Sequence, residues 1–256
     1  SPKKLNQSPK KLNQSHQKME KKEQICNNFY KMPMKKQIKI NIYLQINCKY
    51  VYMAFWGDRD TSIFFYEEPY VKSDYIAEYY NSLSGFIYAI VGIYFLRTKI
   101  YKMGQTLIVL GIGTVALHST QRWYGQWLDE LSMLYLSFQS IQYLRLHEKK
   151  TTSLIWIPLG LSIYIQSYNF LFILLFAVCQ IYILFVLKKP IPKKNYEIHA
   201  YIYNIIYKYV FLLSSIIWTI EHWGYDSTDS YHLHAWWHIG TGVSVFFGLN
   251  ELVICI

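Results

Sequence analysis

The chain has 256 residues, 52% of them hydrophobic and 18% aromatic, and only 16% charged, well below the roughly 25% usual for soluble domains. Its net charge of +10 belongs to a tail: residues 1–50 hold twelve lysines against Glu20 and Glu23, whereas residues 51–256 balance fourteen basic against fourteen acidic side chains. A neutral body gives no reason to expect nucleic acid as a partner. The four cysteines, Cys26, Cys48, Cys179 and Cys255, have no metal or redox spacing and define no disulfide framework.

Residues 1–52 are rich in lysine, asparagine and glutamine, and residues 1–7 repeat almost unchanged as residues 8–14. Low hydrophobicity with high charge predicts disorder there. Met53 is the expected start of the protein, with residues 1–52 an over-extended reading of the gene; a basic membrane-surface arm is the alternative. From residue 53 the composition changes. Apolar stretches recur at about 77–96, 104–119, 127–145, 153–167, 169–187, 201–223 and 234–256, each approaching the roughly 20 residues a bilayer-spanning helix needs. Residues 53–256 are therefore expected to form one all-α, polytopic domain of seven transmembrane helices, integral to the membrane. The loops set its orientation. Arg97, Lys99 and Lys102, then Arg145, Lys149 and Lys150, then Lys188, Lys189, Lys193 and Lys194 fall on alternate connections, against Arg122 alone on the others. Basic loops stay cytosolic, which puts the N-terminus outside or luminal and the C-terminus in the cytosol.

That topology gathers the polar residues at one face. His118 ends the second stretch, Asp129 begins the third, and His234 and His238 begin the seventh. The last two stand four residues apart, one above the other on a helix face. Ionisable groups inside spanning helices are costly unless paired or put to use. Three neutral imidazoles suit zinc, with the fourth position left for water. Asp129 then serves as general base or as an acceptor for that water, with Thr114 one turn before His118 as hydrogen-bond donor. Such a site hydrolyses a carbonyl bond in a substrate entering from the lipid. The alternative is a structural zinc closed by a fourth protein ligand, for which His222 and His232 are candidates.

At these residues the chain resembles the alkaline ceramidases, a family of seven-span membrane hydrolases. The shared motifs are Gly113-Thr114-Val115-Ala116-Leu117-His118-Ser119-Thr120, Gln126-Trp127-Leu128-Asp129-Glu130, His234-Ala235-Trp236-Trp237-His238 and Tyr75-Ile76-Ala77-Glu78-Tyr79-Tyr80-Asn81. The resemblance implies zinc on His118, His234 and His238, and water activated with help from Asp129 for attack on the amide of ceramide, the membrane lipid substrate. It implies an endoplasmic reticulum or Golgi location. It also implies a calcium site near the first helix, to which Glu67, Glu78 and the backbone carbonyl of Phe65 would contribute. That site is expected to be weakened, because Phe64 stands where the family has aspartate and Pro69 where it has asparagine, and calcium prefers six to eight oxygens. Tyr66 and Tyr225 replace the two cysteines of the family's disulfide. Other readings are a lipid hydrolase of the wider superfamily with different selectivity, and a receptor-like membrane protein whose zinc only pins helices together.

Overall fold

The computed structural model describes residues 55–147, 169–186, 194–223 and 231–255. The chain divides into two compact units, Ser1–Gly57 and Asp58–Ile256. Of the first, only residues 55–57 are described, so the expectations for the tail lie outside the described residues, as do those for the apolar stretch 153–167 and for Tyr225. The second unit is all-helical among its described residues. Its helices are α1 (Tyr79–Phe95), α2 (Tyr101–Thr120), α3 (Trp123–His147), α4 (Asn169–Ile181, continued by a π-helical turn Tyr182–Val186), α5 (Glu197–Trp223) and α6 (Leu233–Cys255). None of the seven prolines interrupts them, which leaves each backbone ladder unbroken.

Apolar side chains cover the outside of the helices as well as filling the core. On α1 the exposed side chains are Tyr79, Leu83, Phe86, Ile90, Ile93 and Tyr94, while Asn81 and Ser82 are buried. On α5, Ile198, Tyr201, Tyr209, Leu213, Ile216 and Ile220 face outward. A continuous apolar exterior of this kind is a lipid-facing surface. Three helices, α2, α5 as far as His222, and α6, are long and apolar enough to cross a membrane. The 17-residue α1 is short, and α3 carries Gln126, Asp129, Glu130, Gln139 and Gln142 within its 25 residues, which lowers its hydropathy. The molecule is a membrane protein whose polar groups have been drawn inward.

The helices pack in the lateral order α5, α6, α1, α2, α3, α4. The α1–α2 contact is tight. A Cβ on Gly92 would stand 2.6 Å from the carbonyl oxygen of Gly104, and one on Gly104 would stand 2.7 Å from that of Gly92. Only glycine permits this approach, as in membrane helix pairs generally. Below this contact Phe95, Ile100, Met103 and Leu107 are fully buried. At the opposite end α2 closes on Gln121, held in the left-handed region at φ 52°, and Asp60 caps α3 by accepting the backbone N–H of Trp123 at 2.6 Å. This two-residue link forces α2 and α3 to run antiparallel and brings His118 and Asp129 to one level.

Candidate metal centre and active site

Three segments meet at that level. The C-terminal end of α2 leaves carbonyls without helical partners. Two are satisfied by the strand-like approach to α1: Ala77 N–H donates to Ser119 O and Glu78 N–H to His118 O, both at 2.9 Å. The start of α1 has the complementary need. Both oxygens of Glu67 meet it, accepting the N–H groups of Tyr80 at 2.7 Å and Asn81 at 2.9 Å, where the helix dipole also favours a negative charge. Burial holds the Glu67 carboxyl above its ordinary range, an effect those two N–H donors oppose.

Glu78 is thereby fixed beside His118. Its Oε2 contacts His118 Nδ1, and its Oε1 accepts Gln121 Nε2 at 2.7 Å. The other two histidines are held the same way by different groups. His234 Nδ1 lies 2.9 Å from Glu221 Oε2 at the end of α5. His238 Nδ1 lies 2.8 Å from Ser84 Oγ on α1. Ser84 already donates its single hydrogen to Asn81 O at 2.9 Å, so toward His238 it acts as acceptor. Each ring therefore carries its proton on Nδ1 and keeps a lone pair on Nε2, the arrangement in which imidazole ligates metal. The three rings converge: their ligand atoms all lie within 4.8 Å of one another, and all three residues are buried. His118 Nε2 is buried without a hydrogen-bond partner, a state proteins seldom leave uncompensated. The donor set, its convergence and that orphaned nitrogen fit a metal ion.

The group contains three residues. His232 instead packs on Tyr80, ring centroids 4.0 Å apart, and His222 stacks on Trp218 at 5.0 Å. Neither belongs to the convergent set. Phe65 covers it, its ring 4.6 Å from that of His118 and 4.3 Å from that of His234. Asp129, on the first turns of α3, contacts the Thr114 hydroxyl through Oδ1. Thr114 also reaches back to Leu110 O at 2.9 Å. A cavity of about 350 Å³ is lined by Asp129, His234 and His238 and by apolar side chains that include Met133, Phe172, Phe176, Phe211 and Trp237. Its lining is mostly apolar with a few convergent polar groups, the make-up of a small-molecule pocket.

Glu221 and Ser84 went unrecognised in the sequence. In the sequence Glu221 is an acid before a loop and Ser84 is one serine among several in an apolar stretch. Their pairing with histidines depends on helix packing.

The family profile described as Ceramidase matches residues 57–255. The chain is 28% identical to mouse alkaline ceramidase 3 over 233 residues, 75% of this chain and 83% of that protein. It is 25% identical over 253 residues to dcd3A of Dictyostelium discoideum, whose own assignment as an alkaline ceramidase is provisional, covering 78% and 88% of the two chains. A shorter likeness, 33% over 88 residues, links it to alkaline ceramidase YPC1 of Saccharomyces cerevisiae, over 31% of this chain and 28% of that one. With its helical body matched from end to end, the chain belongs to the ceramidase family.

Proposed function

We propose that the protein is a zinc-dependent intramembrane amidase that cleaves ceramide to a sphingoid base and a fatty acid. The observation that carries this reading is the convergence of three buried histidines, each with Nδ1 engaged, two of which, His234 and His238, line a largely apolar cavity together with Asp129. His118, His234 and His238 would hold the ion through Nε2. Bound there, zinc lowers the pKa of water to about 7 and polarises a carbonyl.

The chain's own residues supply the rest. The cavity takes the hydrocarbon portion of the lipid and keeps bulk water from the amide. Thr114 engages Oδ1 of Asp129, which leaves Oδ2 to accept a proton from the attacking water. The same oxygen returns that proton to the leaving nitrogen, so that a neutral amine departs and a carboxylic acid remains. The seven apolar stretches of the sequence support seven spans, and the loop charges support an N-terminus outside or luminal, a cytosolic C-terminus and a site near the non-cytosolic face; the resemblance supports endoplasmic reticulum or Golgi membranes.

The test is product identity. Purified protein in detergent should release sphingoid base and fatty acid in equal amounts from ceramides and leave ester-linked glycerolipids intact. Cleavage of esters with ceramide untouched would transfer the assignment to another lipid hydrolase of the superfamily.

A further inference from the structure

Three acids line the cavity: Asp129, Glu130 and Glu221. Two are already engaged, Asp129 with Thr114 and Glu221 with His234. Glu130 takes no part in either pair. It is 6% exposed, and a carboxyl so placed in a spanning helix is costly unless it is bound or used.

Its setting is built. Gln126, one turn earlier on α3 and itself 3% exposed, is locked by the segment that precedes α1. The backbone N–H of Ser62 donates to Gln126 Oε1 at 2.9 Å. A backbone N–H can only donate, which fixes the amide with its nitrogen on the other side. The two hydrogens of that nitrogen go to Ser62 Oγ and to Glu130 Oε1, both at 2.7 Å. Glu130 Oε1 is thereby pinned, and Gln126 is its one hydrogen-bond partner among the described residues. Glu130 Oε2 is not among the atoms sealed in without a partner. A carboxylate accepts about four hydrogens, so a fixed acceptor with spare capacity borders the cavity beside Asp129.

An acceptor in an apolar cavity selects a ligand that brings donors, and a lipid brings them most cheaply as hydroxyls. Ceramide carries two, on the carbons that flank the one bearing the amide nitrogen. We propose that Glu130 is a specificity residue for the head of the substrate, its free oxygen accepting the hydroxyls of the sphingoid portion. Gln126 is the positioning residue that aims it. This rests on ceramide as the substrate and on Asp129 serving the nitrogen, one carbon away from those hydroxyls.

The test gives full-length, zinc-loaded protein in detergent two substrates: ceramide, and the amide of the same fatty acid with 2-aminooctadecane, which has neither hydroxyl. A hydrogen bond to a charged acceptor is worth roughly 10- to 100-fold, so kcat/KM should favour ceramide by that factor. E130Q keeps the side chain's shape and its bond from Gln126 but turns an amide NH₂ to the cavity. Its rate on ceramide should fall to that on the plain amide, while its rate on the plain amide and its zinc content stay as in the wild type. An equal loss on both substrates would mean a structural role only and would overturn the proposal, as would an undiminished preference in E130Q. Equal handling of the two amides by the wild type would overturn it even if E130Q did not fold. Binding is measured in parallel on D129N, by displacement of radiolabelled ceramide. Displacement should need roughly 10- to 100-fold more plain amide than ceramide, and equal amounts once E130Q is added. That binding preference without hydrolysis of either amide would end the amidase reading and leave the role of Glu130 standing; hydrolysis of both without preference would do the reverse.

Discussion

Glu221 provides the sharpest test of how the metal centre is built. It lies at the end of α5, buried, with Oε2 2.9 Å from His234 Nδ1, and it touches no metal itself in this account. Its replacement by alanine leaves the His234 N–H without an acceptor and frees the ring to rotate. Loss of a group that orients a histidine ligand typically weakens metal binding 10- to 100-fold, or about 1.4–2.8 kcal/mol. The cost of stranding a buried donor, about 1–3 kcal/mol, falls in the same range by an independent route. E221Q keeps an oxygen that can accept the Nδ1 hydrogen and loses only the charge, so its effect should lie near the tenfold end. Glu197 opens the same helix and is exposed; E197Q should bind zinc as the wild type does. The assay is competition with a chromophoric zinc chelator on the purified proteins, with zinc also counted by mass spectrometry. Wild-type affinity in E221A would mean that His234 needs no orienting partner.

Other consequences follow from the same geometry. D129N should retain one zinc per chain yet lose about two to four decades of kcat on ceramide, the range for a missing general acid–base group. T114V removes the hydroxyl that engages Asp129 and should lose about one to two decades, as for a hydrogen bond to a charged group, with T114S close to wild type. In G113A the new methyl would stand 2.7 Å from Asp129 N and 2.8 Å from Leu128 C, both backbone atoms that cannot swing aside. Overpacking of this kind costs about 1–3 kcal/mol, so a lower melting temperature and a fall in kcat should appear together. Because Glu67 is held above its ordinary value of 4.5 in the fold, the folded state holds that proton more tightly than the unfolded chain does. Its contribution to stability is therefore largest at low pH and declines as pH rises from about 4.5 through the raised value. E67Q should flatten the melting-temperature profile over that window.

How much of this was legible in the sequence depends on distance along the chain. The histidine pair at 234 and 238 is visible because a helix turn places them together, and hydropathy alone puts His118 and Asp129 at the same end of their helices. The groups holding each Nδ1 are different. Glu78 lies 40 residues from His118, and Ser84 lies 154 residues from His238. No local period links them, and they become partners only once α1 packs against α2 and α6. Glu78 illustrates the point. The resemblance pointed to it as a calcium ligand, whereas its contact with His118 follows from the backbone bonds that seat residues 77 and 78 on the end of α2. Helix ends were also poorly marked by hydropathy. The stretch expected at 201–223 begins at Glu197, because an acid suits the first turn of a helix whatever its polarity. The stretch expected at 169–187 changes from α to π at Tyr182, and apolarity carries no signal for that change.

The most direct test of the central claim is a zinc titration of activity. The full-length protein would be stripped of metal, repleted with zinc in steps, and assayed for sphingoid-base release from ceramide, with H238A treated in parallel. Release should rise with zinc, saturate at one ion per chain, and be absent in H238A. Undiminished release from metal-free protein, or one bound zinc per chain with no ceramide cleaved, would contradict the claim.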